Sequence, residues 1–312
     1  MTGRLDGERL PIDLAANAAG LGWEVGRARS TALSTRRVFL SGAAAVCLTA
    51  AGANRAAAAG TYAQTIVAKQ PVGYWRLGER SGSAAADSSG NHRDGVYHGD
   101  PHFGEPGAIV GDSAGAVRFG GHDDYVEIPD DARFSQPTSG RGLSVEAWLR
   151  PDVLTFAGQT SAKYVHWLGK GEPDAFEWGF RFYSLDSPTR PNRISAYIWN
   201  AAGGEGAGSY FQDELVAGRW IHIVACFDPG DRTDPRAGVS IYRDGVLRES
   251  PQRSRGARYA SYDLVPAHGG APLRFATRDR GSFLIGALAD VALYPRVLDA
   301  AEIAENYRVA GR

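Results

Sequence analysis

Three tryptophans and a tyrosine, Trp167, Trp178, Trp199 and Tyr210, stand in or beside short segments of strand-forming residues. Two of them have a hydroxyl-binding neighbour: Glu177 beside Trp178 and Asn200 beside Trp199. An aromatic face stacks on the apolar side of a pyranose while an adjacent amide or carboxylate takes its hydroxyls, so this combination makes the four rings carbohydrate-binding candidates. The alternation around them is equally that of core residues in a sandwich, and both readings stay open for each ring. Hydrolysis of a glycan would need two facing carboxylates, about 5–5.5 Å apart in a retaining enzyme. The nearest acid groups are Glu172, Asp174 and Glu177 around Pro173, and Asp123-Asp124, Glu127 and Asp130-Asp131; the first reads as a solvated loop. His98 and His102 are four apart, but Pro101 between them argues against one helical face for a metal. No catalytic set emerges, and a non-enzyme is expected.

The elements that must position these residues are strands. The chain has 312 residues, with 40 Gly, 16 Pro, 12 Phe, 13 Tyr and 7 Trp, a composition of turns and strand formers. Twelve strand-like runs can be read: 72–77, 95–98, 116–119, 125–128, 143–149, 164–168, 176–183, 193–199, 220–227, 239–242, 246–248 and 286–294. Asp244-Gly245 marks a hairpin. Asp299 followed by Glu302 is a capping box that opens one helix at the C-terminus. Without βαβ alternation, the pattern predicts an all-β fold, a two-sheet antiparallel jelly-roll sandwich with a short C-terminal helix. Segments 185–192, 201–209, 229–238 and 250–272 read as loops. A net charge of -1 gives no electrostatic reason for a nucleic-acid partner, and two cysteines exclude a disulfide scaffold. Cys226, inside an apolar run, reads as a small buried hydrophobe.

The first 59 residues read as an N-terminal extension and twin-arginine signal peptide. Arg36-Arg37 is followed by Val38-Phe39-Leu40, a short apolar stretch and the small residues Ala56 to Ala59. The apolar stretch is too short for the roughly 20 residues of a membrane span. Cys47 follows Val46, a poor lipobox. Cleavage would leave residues 60–312 as one domain, secreted through the twin-arginine pathway with no membrane insertion. The removed segment carries seven Arg and four acidic residues, so the remainder is acidic, with a net charge of -4.

Several segments resemble the LamG-like jelly-roll domains of the concanavalin A-like lectin/glucanase superfamily. They are Pro71 to Glu79, Asp87-Ser88-Ser89-Gly90-Asn91, Asp124 to Asp130, Ser144 to Pro151, Trp220-Ile221-His222, Tyr242-Arg243-Asp244-Gly245 and Gly286 to Tyr294, in the family's order over about residues 65–308. The resemblance implies one structural calcium at the sandwich edge, with Glu79, Asp87, Asn91 and Asp290 as its candidate ligands, although Ala289 stands where many relatives carry a second acid. It also implies that catalysis would use a Glu-x-Asp-x-(x)-Glu run, which this sequence lacks. The function expected is therefore an exported non-catalytic module recognising carbohydrate or a cell-surface partner. The alternatives are a purely structural or protein-interaction domain and, third, a glycan hydrolase or lyase.

Overall fold

The computed structural model describes residues 61–135, 142–158, 160–173, 175–199, 206–228, 238–248 and 268–312. The leader with Arg36 and Arg37, together with Asp174 and Asn200, lies outside the described residues. The described residues form sixteen strands and two α-helices. In chain order they begin with α1 (Tyr62–Ala68), β1 (Gly73–Trp75), β2 (Ala84–Ala85), β3 (Gly95–His98), β4 (His102–Glu105), β5 (Ala116–Gly120) and β6 (Tyr125–Ile128). The middle contains β7 (Leu143–Pro151), β8 (Tyr164–Glu172), β9 (Ala175–Tyr183), β10 (Ile194–Trp199) and β11 (Gly206–Phe211). The last elements are β12 (Ile221–Asp228), β13 (Gly238–Arg243), β14 (Val246–Arg248), β15 (Leu273–Phe275), β16 (Ile285–Tyr294) and α2 (Ala300–Val309).

The strands make two antiparallel sheets. The first runs β14-β13-β12-β7-β16-β5-β4, with β1 added on β16, and the second runs β11-β10-β9-β8-β15-β6-β3-β2. Period-2 alternation decides what lies between them. In β9, Trp178, Phe180 and Phe182 point inward; in β7, Leu143, Val145, Ala147 and Leu149 do so, and all seven belong to one core cluster. The all-β sandwich with a C-terminal helix is the architecture anticipated from the sequence.

The sequence reading under-counted the elements. Strands β2, β4 and β15 are two to four residues long and carry little pattern. Strand β11 was expected to be a loop because it opens Gly206-Ala207-Gly208; a Cβ at Gly208 would stand 2.4 Å from the Tyr197 ring, so the glycine is what lets this strand pair. Helix α1 was not anticipated, although Thr61 and Gln64 form a capping box in which the Gln64 N–H donates to the Thr61 Oγ1 and the Thr61 N–H to the Gln64 Oε1.

Both helices bury against the outer face of the first sheet, where Tyr62, Ile66, Trp148, Tyr294, Leu298 and Ile303 make a second apolar cluster. Inside it lies a fully buried carboxylate, Glu146. It accepts from Tyr62 (3.0 Å), Tyr294 (2.9 Å) and Asn306 (2.8 Å), and meets His222 Nε2 at 2.7 Å. Burial opposes its ionisation, but the bonds from His222, Tyr294 and Tyr62 outweigh that and hold the carboxyl below its usual range. One acid thereby ties α1, α2, β12 and β16 to β7.

Candidate functional site

The outer face of the second sheet carries the aromatic and cationic side chains that alternate with the core. From β9 come Gly179, Arg181 and Tyr183; from β10 come Ser195, Tyr197 and Trp199. Register places Arg181 opposite His166 of β8 and Ser195 of β10, and Ser195 opposite Tyr210 of β11. The Arg181 guanidinium lies over three rings, 4.3 Å from Tyr164, 5.0 Å from Tyr197 and 5.3 Å from Trp199. Its Nε donates to His166 Nε2 at 3.1 Å. Burial and the two neighbouring guanidiniums, Arg278 and Arg181, push the His166 imidazole well below its usual range, so it stays neutral and accepts.

A second guanidinium reaches the same place from the loop after β15. Gly169 and Gly179 face each other across β8 and β9, and the Arg278 stem lies over this bare stretch. A Cβ would stand 3.1 Å from Arg278 Cγ at Gly169 and 3.2 Å from its Cδ at Gly179, so side chains there would lift the arginine off the sheet. The Arg278 guanidinium stacks at 3.9 Å on Phe176 and 4.7 Å on Trp199. Its side chain is 1% exposed, Nη2 donates to Asp279 at 2.7 Å, and Nε and Nη1 have no hydrogen-bond partner. Burial lowers its affinity for the proton relative to a free arginine.

Trp199 is therefore half-buried and braced by two cations, with Tyr197 stacked beside it at 5.7 Å and 27°. Tyr210 is also half-buried, and the Arg193 guanidinium covers one of its faces at 3.6 Å. The carboxylates nearby are occupied: Glu127 and Glu172 hold Arg274 at 2.8 and 2.6 Å, and Glu177 holds the buried Lys170 at 2.5 Å. This arrangement can offer the exposed parts of Trp199, Tyr197 and Tyr210 as an aromatic platform to a hydroxylated ligand, with Arg181 and Arg278 buried beneath as braces; among the described residues it offers no free carboxylate pair.

The sequence profile of the concanavalin A-like lectin/glucanases superfamily matches residues 119–304, more than half of the chain, which covers the strands just described. The chain belongs to this superfamily. Solved structures with a similar fold include the receptor-binding domain of botulinum neurotoxin type G, at 15% identity and a TM-score of 0.52 over 77% of this chain and 51% of that one. Two further examples are the binding domain of botulinum neurotoxin DC in complex with rat synaptotagmin II (10% identity, TM-score 0.55, 78% and 52% covered) and the type D ligand-binding domain in complex with N-acetylneuraminic acid (11%, 0.53, 80% and 52%). This chain spans about half the length of those domains, and at such identities the likeness is one of fold alone. No curated protein matches the sequence.

Within this lectin-like fold the four candidate rings divide. Trp167 and Trp178 are both 0% exposed, between the sheets. Trp167 packs on Phe180, and Trp178 donates from Nε1 to the Phe134 carbonyl at 2.8 Å, so neither has a face open to a sugar. Trp199 and Tyr210 lie on the outer face, at the site described above. The partners the sequence reading missed are Arg181, Arg278, Arg193 and Tyr197. A signal existed for the strand residues: in Trp178-Gly179-Phe180-Arg181-Phe182-Tyr183 the parity that buries Trp178 turns Arg181 outward.

Each of the four calcium candidates is engaged by protein groups. Asp87 accepts from the N–H groups of Tyr74 and Ser89 on Oδ1 (3.0 and 2.9 Å) and of Arg93 on Oδ2 (3.0 Å). Glu79 accepts from Ala86 N–H and the Tyr97 hydroxyl, and Asn91 donates to the carbonyls of Pro71 and Val72. Asp290 is buried, pushed up to about 6 by that burial, and takes the Tyr74 hydroxyl with Arg76 Nε 3.5 Å away. Calcium needs six to eight oxygens free to converge on it. Carboxylates held by protein N–H and O–H donors are not gathered for such a cation, and the described residues contain no group of three His, Cys, Asp or Glu side chains that could hold a metal. Cys226 is buried, with its thiol raised to about 11 by burial, which removes it as a nucleophile at neutral pH.

Proposed function

We propose that the chain is an exported, non-catalytic carbohydrate-binding module whose recognition surface is the outer face of the second sheet around Trp199. The observation that carries this reading is the half-buried Trp199 ring braced by Arg181 and Arg278 and flanked by Tyr197. A sugar stacks on the exposed parts of the Trp199 and Tyr197 rings, which the buried Arg181 and Arg278 guanidiniums hold in place from beneath. The engagement of Glu127, Glu172 and Glu177 by Arg274 and Lys170 supports the non-catalytic part. Export rests on the order of twin arginines, short apolar stretch and small-residue cleavage site in residues 34–59. The fold neighbours, which include domains solved with N-acetylneuraminic acid and with synaptotagmin, suggest that such a scaffold serves either glycan or protein recognition. The aromatic platform favours the glycan.

The deciding experiment is a glycan array run on the parent protein and on Trp199→Ala, with a reducing-end assay on every glycan bound. Binding that disappears in the variant, with no release of reducing ends, is expected. A protein that binds no glycan but captures a cell-surface protein would replace this reading with the interaction-module one, and released sugar would make it an enzyme.

A further inference from the structure

A groove of about 580 Å³ opens on the opposite side of the molecule, between the start of β12, the β13–β14 turn and α2. This is the size range of small-ligand sites. Its aromatic surfaces are Trp220 and Tyr307, both half-buried, with the buried Trp148 behind them. Each ring has one side already supported. The Arg150 guanidinium lies 5.3 Å over Trp220 and is itself held by Glu105 at 2.7 Å. Tyr307 stacks on Trp148 at 6.0 Å and 22°, and on His222 at 5.9 Å and 27°.

The rim is both apolar and charged. Val110 and Val216, at 60% and 48% exposure, line the groove and are among the most exposed large aliphatic residues described. The charged lining is three guanidiniums, Arg219, Arg243 and Arg312, against one carboxylate, Asp244. Asp244 is fixed: its Oδ1 accepts the His222 N–H at 3.1 Å and its own N–H donates to the His222 carbonyl at 2.9 Å. Arg243 is spoken for by Asp213 at 3.1 Å and Asp244 at 3.3 Å. Arg219 is exposed and has no carboxylate partner among the described residues. Arg312 donates from Nε to the Ala108 carbonyl, so the groove combines two braced aromatic faces with Arg219, an exposed guanidinium that has no partner in the groove.

We propose that this groove is a second carbohydrate site, which takes a pyranose bearing a carboxylate: the ring stacks on Trp220 and Tyr307, and the carboxylate pairs with Arg219. A planar guanidinium matches a carboxylate in bidentate geometry, which sets the preference for acidic over neutral sugars. The site shares no residue with the Trp199 face, so either can exist without the other.

The test is calorimetric titration of the full chain carrying Trp199→Ala, which removes the first site, with trigalacturonate and 3′-sialyllactose, each against its neutral counterpart, galactotriose and lactose. At least one acidic ligand binds the Trp199→Ala protein, its neutral counterpart binds about tenfold or more weakly, and added salt weakens the acidic one. Adding Arg219→Gln, an exposed change that leaves the fold intact, lowers acidic-sugar affinity about tenfold; adding Trp220→Ala does the same. The proposal falls if neither acidic sugar binds the Trp199→Ala protein, if neutral sugars bind as tightly, or if Arg219→Gln binds as its parent does. Binding by the parent protein that Trp199→Ala alone abolishes would uphold the first site and overturn this one.

Discussion

The Arg278 guanidinium lies 4.7 Å from the centre of the Trp199 ring, and Arg181 holds the same ring from 5.3 Å, so the indole is fixed in place while only half-buried. A ring already immobilised loses little rotamer freedom when a ligand stacks on it, which is how pre-organisation raises affinity. Trp199→Ala should therefore reduce glycan affinity at least tenfold while lowering stability by less than about 2 kcal/mol. Affinity electrophoresis in polysaccharide gels together with a urea melt checks both; equal mobility of variant and parent would contradict it.

The two core tryptophans should behave in the opposite way. Trp167 and Trp178 are enclosed between the sheets, so truncating either to alanine should cost about 3–5 kcal/mol of stability through the cavity left behind. The folded fraction should keep its glycan affinity. Lost binding in a Trp178→Ala protein whose melting is unchanged would show that this ring has another role.

Glu146 is the fastening of both helices. Removing its carboxylate in Glu146→Ala leaves Tyr62, Tyr294, Asn306 and His222 without their common acceptor, at an expected cost of about 3–5 kcal/mol. Because its folded-state pKa is depressed, its contribution is present above the unfolded pKa and is lost as pH falls through the folded one. Hydrogen exchange should report faster opening of 62–68 and 300–309 in the variant before the sheets open.

Asp290 should give the reverse pH dependence. Its carboxyl titrates near 6 in the folded state against 3.8 unfolded, so the folded state holds the proton more tightly. That stabilisation is full below pH 3.8 and fades as pH rises through about 6, a change of up to about 3 kcal/mol. Asp290→Asn keeps an acceptor for the Tyr74 hydroxyl and removes the titration. The variant should gain on the parent between pH 4.5 and 7.5 in urea unfolding; a constant difference between the two would refute this.

Replacing Arg36 and Arg37 together by Lys should stop export through the twin-arginine route. Cell fractionation would show precursor retained inside, and N-terminal sequencing of the parent's secreted form should begin close to residue 60.

The fold was legible where strands are long enough to show their period. In β7 the inward Leu143, Val145, Ala147 and Leu149 alternate without a break, and the Asp299–Glu302 capping box located α2. Short strands such as Ala84–Ala85 carry no period, and β11 hid behind glycines whose cause, the Tyr197 ring, lies on another strand. The site was half legible for the same reason. Parity separates Trp178 from Trp199, but nothing local announces that Arg278, a hundred residues beyond Gly179, will lie across that glycine. A contact made by a side chain resting on absent side chains has no one-dimensional signature.

The closing strand β16 hydrogen-bonds to β7 and β5 and also carries β1, the first strand of the domain. Three earlier strands of one sheet thus share a partner that is synthesised after all of them. Until residues 285–294 are made, β1 lacks the strand it pairs with among the described residues and β7 and β5 have nothing between them, so the sandwich cannot be assembled progressively as it is synthesised. Contacts of such long sequence separation close late and slowly. The half-built chain, with its apolar strands unpaired, is consequently the species most exposed to misassociation, and a stop codon or deletion in β16 should be far more damaging than one of equal length in any loop.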